Sequence, residues 1–354
     1  KIVDEKATLR SLIQTSNELI ALGYDESEDV DSIMDMAEKK VFGLSQKKSA
    51  KGYTALKDVL VGSFAELEKL YNQKGNVTGI TTGFIDLDNK TAGLHNSDLI
   101  IIAARPAMGK SAFAINLATN AAIKANVPAV IFNLEMSKEQ VGNRILCSEA
   151  MVDSNKIRTG QIEDEDWMKL ATTLGELSEA PIYIDDTPGI SVMEIRAKCR
   201  KLKLEKNIGM VVIDYLQLVR CKRKFNNRAS EVGEVSKQFK ALARELHVPI
   251  ILLSQLNRIS EMNATKEPTM SELRESGDIE QDASNIILMW NLDEDRKFKG
   301  LKVEKNRQGT PFREVVQFEG DRMEFIERAE TIEQIQARMR QKDVFRESCG
   351  TPFD

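Results

Sequence analysis

The feature that most constrains this chain is the stretch over residues 98–120, DLIIIAARPAMGKSAFAINLATN. It passes from a continuous apolar run, residues 99–103, to apolar positions at helical spacing, Phe113, Ala114, Leu117, Ala118 and Ala121. The run predicts a buried strand and the spacing predicts a helix from Ser111 onward. Between them lies a candidate phosphate cradle made of Ala104, Arg105, Pro106, Ala107, Met108, Gly109, Lys110 and Ser111. In such a turn, backbone N–H groups and the helix N-terminus face phosphates, Lys110 supplies charge, and Ser111 offers a hydroxyl to magnesium. Ala104 stands where the usual P-loop pattern has glycine, so the strand before and the helix after carry the assignment.

Further strand candidates at residues 129–134, 182–185, 210–214 and 249–253 alternate with amphipathic segments of helix length. That order predicts an α/β fold with right-handed crossovers and a mostly parallel central sheet covered on both faces. Ligands then gather at the carboxyl ends of the strands. Short strands at 286–290, 301–304, 315–318 and 323–326 extend the sheet. Residues 330–354 are polar and read as a tail with a helix around 332–339.

Asp214 ends the apolar run GMVVIDYLQLV, where a nucleotide-binding sheet places the carboxylate that holds magnesium. Hydrolysis of a phosphoanhydride also needs a group to orient or deprotonate water, and Glu135, closing AVIFNLE, meets that need from a neighbouring strand end. A glutamate placed ahead of a helix by the helix dipole is the plain alternative for Glu135, and the two are compatible.

Composition sets limits on partners and compartment. A net charge of −5 gives no global attraction for nucleic acid, so any DNA contact is made by local basic loops. Cys147, Cys199, Cys221 and Cys349 lack zinc-site spacing and the chain has two histidines, which predicts free thiols. No apolar run approaches the roughly 18 residues of a membrane helix, and the charged start is unlike a signal peptide. A cytoplasmic protein without membrane contact is expected.

Residues 1–46 read as a helical hairpin turning at residues 23–29, too small to bury much alone. Residues 47–77 read as a linker carrying one amphipathic helix with a narrow stripe of Leu56, Leu60, Phe64, Leu67 and Tyr71. Such a stripe needs a groove, on its own chain or on a neighbouring subunit.

ARPAMGKS, FNLEMS, MVVIDYLQL, PIILLSQLNR, LRESGDIEQDA and EKNRQG, in this order, resemble the C-terminal motor domain of DnaB-type replicative DNA helicases. The resemblance covers residues 78–328, and the preceding residues resemble the end of that family's N-terminal helical domain and its linker helix, with the start of that domain absent. It implies a RecA-like P-loop NTPase core and a homohexameric ring around single-stranded DNA. It further implies 5′ to 3′ movement driven by hydrolysis of ATP or another NTP with Mg2+ at subunit interfaces, and a primase and a helicase loader as partners. It casts Lys110 and Ser111 as phosphate and magnesium ligands, Glu135 as catalytic base and Asp214 as the Walker B acid. Gln255 becomes the γ-phosphate sensor, and Lys305 and Arg307 reach the γ-phosphate held by the adjacent subunit, Arg307 as the finger. Arg274, Glu275 and Gly277 match the loop that grips DNA in the channel.

Two basic stretches stay outside that assignment. The loop over residues 221–228, CKRKFNNR, either faces the channel or is solvated, and the basic helix over 195–206 reads as a solvated face. A RecA-type recombinase or a RecA-like signalling ATPase shares the P-loop and Walker B patterns. The LRESGDIEQD loop and the stripe helix discriminate against both, and a non-enzymatic scaffold with a relic site requires Lys110, Glu135 or Arg307 to be displaced.

Overall fold

The computed structural model describes residues 2–24, 30–46, 55–73, 77–219, 228–256, 265–273 and 277–348. The chain divides into two compact units, one of Lys1–Gly75 with Met193–Lys201, the other of Asn76–Val192 with Leu202–Asp354.

In the first unit the expected hairpin is formed by α1 (Ile2–Gly23) and α2 (Val30–Gln46), which pack on each other with an ion pair between Lys40 and Glu18. Leu12, Ile13, Val30 and Met34 remain exposed, as the small size of the pair leads one to expect. The stripe helix is α3 (Leu56–Gln73), and Leu56, Leu60, Phe64 and Leu67 are all exposed, Phe64 at 71%. The remaining linker residues, 47–54 and 74–76, lie outside the described residues.

The second unit opens with α4 (Ile85–Thr91), whose first N–H groups, of Ile85 and Asp86, donate to the Glu327 carboxylate. Next come β1 (Leu99–Ala104), α5 (Lys110–Ala125), β2 (Ala129–Asn133), α6 (Lys138–Ala150), α7 (Ser154–Thr159), α8 (Asp164–Glu179) and β3 (Ile182–Asp185). They are followed by α9 (Val192–Lys206), which bridges the two groupings in sequence, then β4 (Met210–Asp214), α10 (Arg228–Leu246) and β5 (Ile250–Gln255). The chain closes with α11 (Gly277–Asp282), β6 (Asn285–Asn291), β7 (Phe298–Asn306), β8 (Phe312–Glu319), β9 (Glu324–Glu327) and α12 (Ile332–Ser348).

The strands form one nine-stranded sheet in the order β3-β2-β4-β5-β1-β6-β7-β8-β9. β1 to β6 pair in parallel, and β7, β8 and β9 extend the sheet antiparallel, which fits the predicted mostly parallel α/β core. β1 is buried along its whole length because both faces are covered. Ile100, Ile102 and Ala104 join the core under α5 with Phe113 and Leu117, while α10 packs on β1 and β5 and buries Phe239 and Leu242.

Some boundaries differ from the sequence reading for local reasons. β2 ends at Asn133, because the Asn133 side-chain oxygen accepts the N–H groups of Glu135 and Met136 and turns the chain. β7 and β8 run longer than their apolar cores, since charged Lys302 and Glu304 continue the hairpin ladder. The segment read as a polar tail starts with Ile332 and Ile335 buried against Trp290, Leu292 and Val315. On the basic helix α9, Arg200 is 3% exposed rather than solvated.

Candidate nucleotide-binding site

Strand register brings the candidate residues to one edge of the sheet. Ala104, the last residue of β1, pairs with Gln255 of β5, and Asn133 of β2 pairs with Asp214 of β4. The cradle, Glu135, Asp214 and Gln255 therefore all leave the carboxyl ends of parallel strands, where an open α/β sheet binds its ligand. Ala107 and Gly109 both hold positive φ, 60° and 87°, which turns the chain sharply from β1 into α5. A side chain at Gly109 would also place its Cβ 3.1 Å from Phe325 Cζ, so glycine suits both conformation and space there.

Lys110 opens α5 and is 9% exposed, yet its ammonium has no hydrogen-bond partner. It lies 4.0 Å from Asp214 Oδ1 and 4.7 Å from the Tyr215 ring centroid. Asp214 is 2% exposed and neither carboxylate oxygen has a hydrogen bond. Burial pulls the Lys110 pKa down against the opposing charges of Asp214 and Glu135. Burial likewise pushes the Asp214 carboxyl up, against Lys110, Ser111 and Arg144. The Ser111 hydroxyl thus favours the ionised carboxylate, though from a geometry short of a formed hydrogen bond. Buried charges left this way are costly unless a ligand completes them. Phosphate oxygens answer the ammonium and a divalent cation answers the Asp214 carboxylate beside Ser111, so the residues present fit a magnesium nucleotide.

Glu135 is exposed, two residues ahead of Ser137, which caps α6 through a capping box with Gln140. Its charge acts on Lys110, Tyr215 and Arg144. Gln255 is half-buried; its N–H donates to Gln217 Oε1 at 3.4 Å and its side chain interacts with the Tyr215 phenol. Sequence reasoning did not find Arg144. This half-buried α6 residue has its pKa lowered by burial and raised by Asp214 and Glu135. Its only signal is a lone arginine between Val141 and Ile145, which are both buried.

The structure does not gather Lys305 and Arg307 with this group in the same chain. Asn306 pairs with Asn285 at the start of β6, and the Arg307 N–H donates to the Ser284 oxygen, itself beside Leu99. Arg307 is exposed, and Lys305 Nζ donates to the carbonyls of Glu280 and Gln281, at 2.6 and 3.5 Å, near the end of α11. Gly277 begins α11, while Arg274, Glu275 and most of the basic loop at 220–227 lie outside the described residues. Cys147 and Cys199 are free and buried, and no helix among the described residues is long and apolar enough to cross a membrane.

The sheet, the cradle and the paired Lys110 and Asp214 define a RecA-like, nucleotide-binding P-loop ATPase. The family model for the DnaB-like helicase C-terminal domain matches residues 79–327. The replicative DNA helicase DnaC of Bacillus subtilis (strain 168) is 46% identical over 316 residues, covering 87% of this chain and 70% of that protein. The replicative DNA helicase DnaB of Haemophilus influenzae is 42% identical over 344 residues, 93% of this chain and 73% of that protein. Among solved structures, an isolated ATPase domain superposes with a TM-score of 0.73 at 32% identity, covering 78% of this chain and 99% of that one. A DnaB-like replicative helicase, described with its interactions with primase, gives 0.70 at 29% identity, covering 92% of this chain and 78% of that one. The chain belongs to the DnaB family of replicative DNA helicases, which are ATP-dependent enzymes.

Proposed function

We propose that this helicase works as a homohexameric ring around single-stranded DNA. It moves 5′ to 3′ and separates duplex DNA by hydrolysing ATP with Mg2+ at sites shared between neighbouring subunits. One observation carries the sharing: the cradle follows the carboxyl end of β1, whereas Arg307 lies beside Ser284 and Leu99 at its amino end. At about 3.3 Å per residue, those ends are roughly 16 Å apart. A finger so placed is far from its own phosphate cradle and exposed for a neighbour's.

Within a site, Lys110 balances phosphate charge, and Ser111 with Asp214 hold the cation, which neutralises phosphate charge when bound. Glu135 takes the proton of the attacking water, with Arg144 and Lys110 keeping it ionised. Arg307 of the next subunit offsets charge spreading onto the γ-phosphoryl oxygens, supported by Lys305, and Gln255 reports the γ-phosphate through Tyr215. Arg274, Glu275 and Gly277 contact the DNA backbone without reading bases. A primase and a helicase loader are the expected partners, in the cytoplasm.

Mixing two inactive variants tests the shared site. Lys110→Ala and Arg307→Ala rings should each be nearly inactive, while mixed rings contain interfaces joining an intact cradle to an intact finger and should regain hydrolysis. Verified subunit mixing with no return of activity leaves either an in-cis finger or all-or-none coupling. Doping Arg307→Ala into unaltered rings separates them: a proportional loss refutes the shared site, and a steep loss indicates coupling.

A further inference from the structure

The cradle carries a second cation, Arg105, whose role the phosphate chemistry does not explain. Arg105 is 5% exposed, and its Nη2 lies 3.3 Å from Glu272 Oε2, itself on a buried-side position of the 3-10 turn Met270–Leu273. Glu272 Oε1 also accepts the Thr269 N–H at 3.3 Å, and Leu273 is buried, so the carboxylate is fixed to its turn. Burying both partners requires good geometry and leaves a stranded charge if either is removed.

The other flank of the same segment is held at the opposite edge of the sheet. Ile279 is buried at 1% exposure, Asp278 pairs with Lys237 of α10 at 3.0 Å, and Lys305 grips the carbonyls of Glu280 and Gln281. Residues 272–282 therefore connect the phosphate cradle of a subunit with the strand that bears its finger. Arg274 follows Glu272 by two positions in the sequence.

We propose that Arg105 and Glu272 are positioning residues that couple nucleotide binding in the cradle to DNA binding by the segment that follows Glu272. The proposal rests on the DNA-contact reading of Arg274, Glu275 and Gly277. The pair joins two elements that bind different ligands, and coupling through it must be reciprocal. A pair serving only to pack the turn would change stability and leave the response to DNA intact.

Hydrolysis by the full chain is measured with and without single-stranded DNA for the unaltered protein, Glu272→Gln and Glu272→Asp, with ring mass and thermal midpoint as controls. Glu272→Gln should lower the ratio of stimulated to basal turnover at least fivefold. Glu272→Asp, which keeps the charge, should restore more than half of it. A ratio within twofold of the unaltered protein in Glu272→Gln overturns the proposal. Should Glu272→Gln fail to fold, hydrogen exchange on the unaltered chain decides without DNA. A non-hydrolysable ATP analogue should slow exchange over residues 269–273 at least threefold, and unchanged exchange there overturns the coupling. Absence of any DNA stimulation in the unaltered protein would count against the DNA-contact reading, leaving the exchange result to decide the pair.

Discussion

Lys299 is 1% exposed in β7, donates to Asn291 Oδ1 and faces the Phe318 ring at 5.3 Å. Desolvation lowers its pKa from 10.5 to about 8, partly opposed by Asp293. Between those values the unfolded chain holds a proton that the native chain lacks, so stability rises with pH across the window and is flat below it. The shift corresponds to roughly 3 kcal/mol at 1.36 kcal/mol per unit. Urea unfolding from pH 7 to 10.5 should show that rise in the unaltered protein, and Lys299→Met should remove it. Equal slopes in the two proteins would place the titration elsewhere. At Glu135, the expected outcome of Glu135→Gln is retained nucleotide binding with turnover lowered at least about a hundredfold. Near-normal steady-state hydrolysis would assign the base to another group. Residues whose chemistry needs a sequence landmark, Lys110 after Gly109 and Asp214 at a strand end, were legible beforehand. Arg144, Arg105 paired with Glu272, and Lys299 were not, because each owes its role to a neighbour distant in the chain.

Elements with a clean period were readable: the strands ending at Asp185 and Asp214 match their sequence bounds, and α5 begins one residue before its expected start. The antiparallel strands were read short, since alternating charged positions such as Lys302 and Glu304 carry no apolar signal while still extending the ladder. α12 looked like a tail because only Ile332 and Ile335 at its start are buried. The α3 stripe shows what a period alone leaves open: it predicts a helix correctly and says nothing of where the apolar face docks. With Leu60 57% and Phe64 71% exposed, docking on a neighbouring subunit is the expected use of that face. Replacing both with aspartate should yield folded species smaller than the ring by light scattering. A double variant that keeps the ring mass would remove α3 from assembly.

At the scale of the molecule, the order β4-β5-β1-β6-β7 sets the cradle and the finger at opposite ends of a shared register. On the proposed shared site, contact between one end of a subunit and the other end of the next is heterologous, and such contacts either close on themselves or grow open-ended. An open row always has a terminal cradle that no finger reaches and a terminal finger with nothing to meet. Only closure gives every subunit a finger for its own cradle. Full activity per chain is then a property of the circle, and the length of β1 is what denies it to a subunit standing alone.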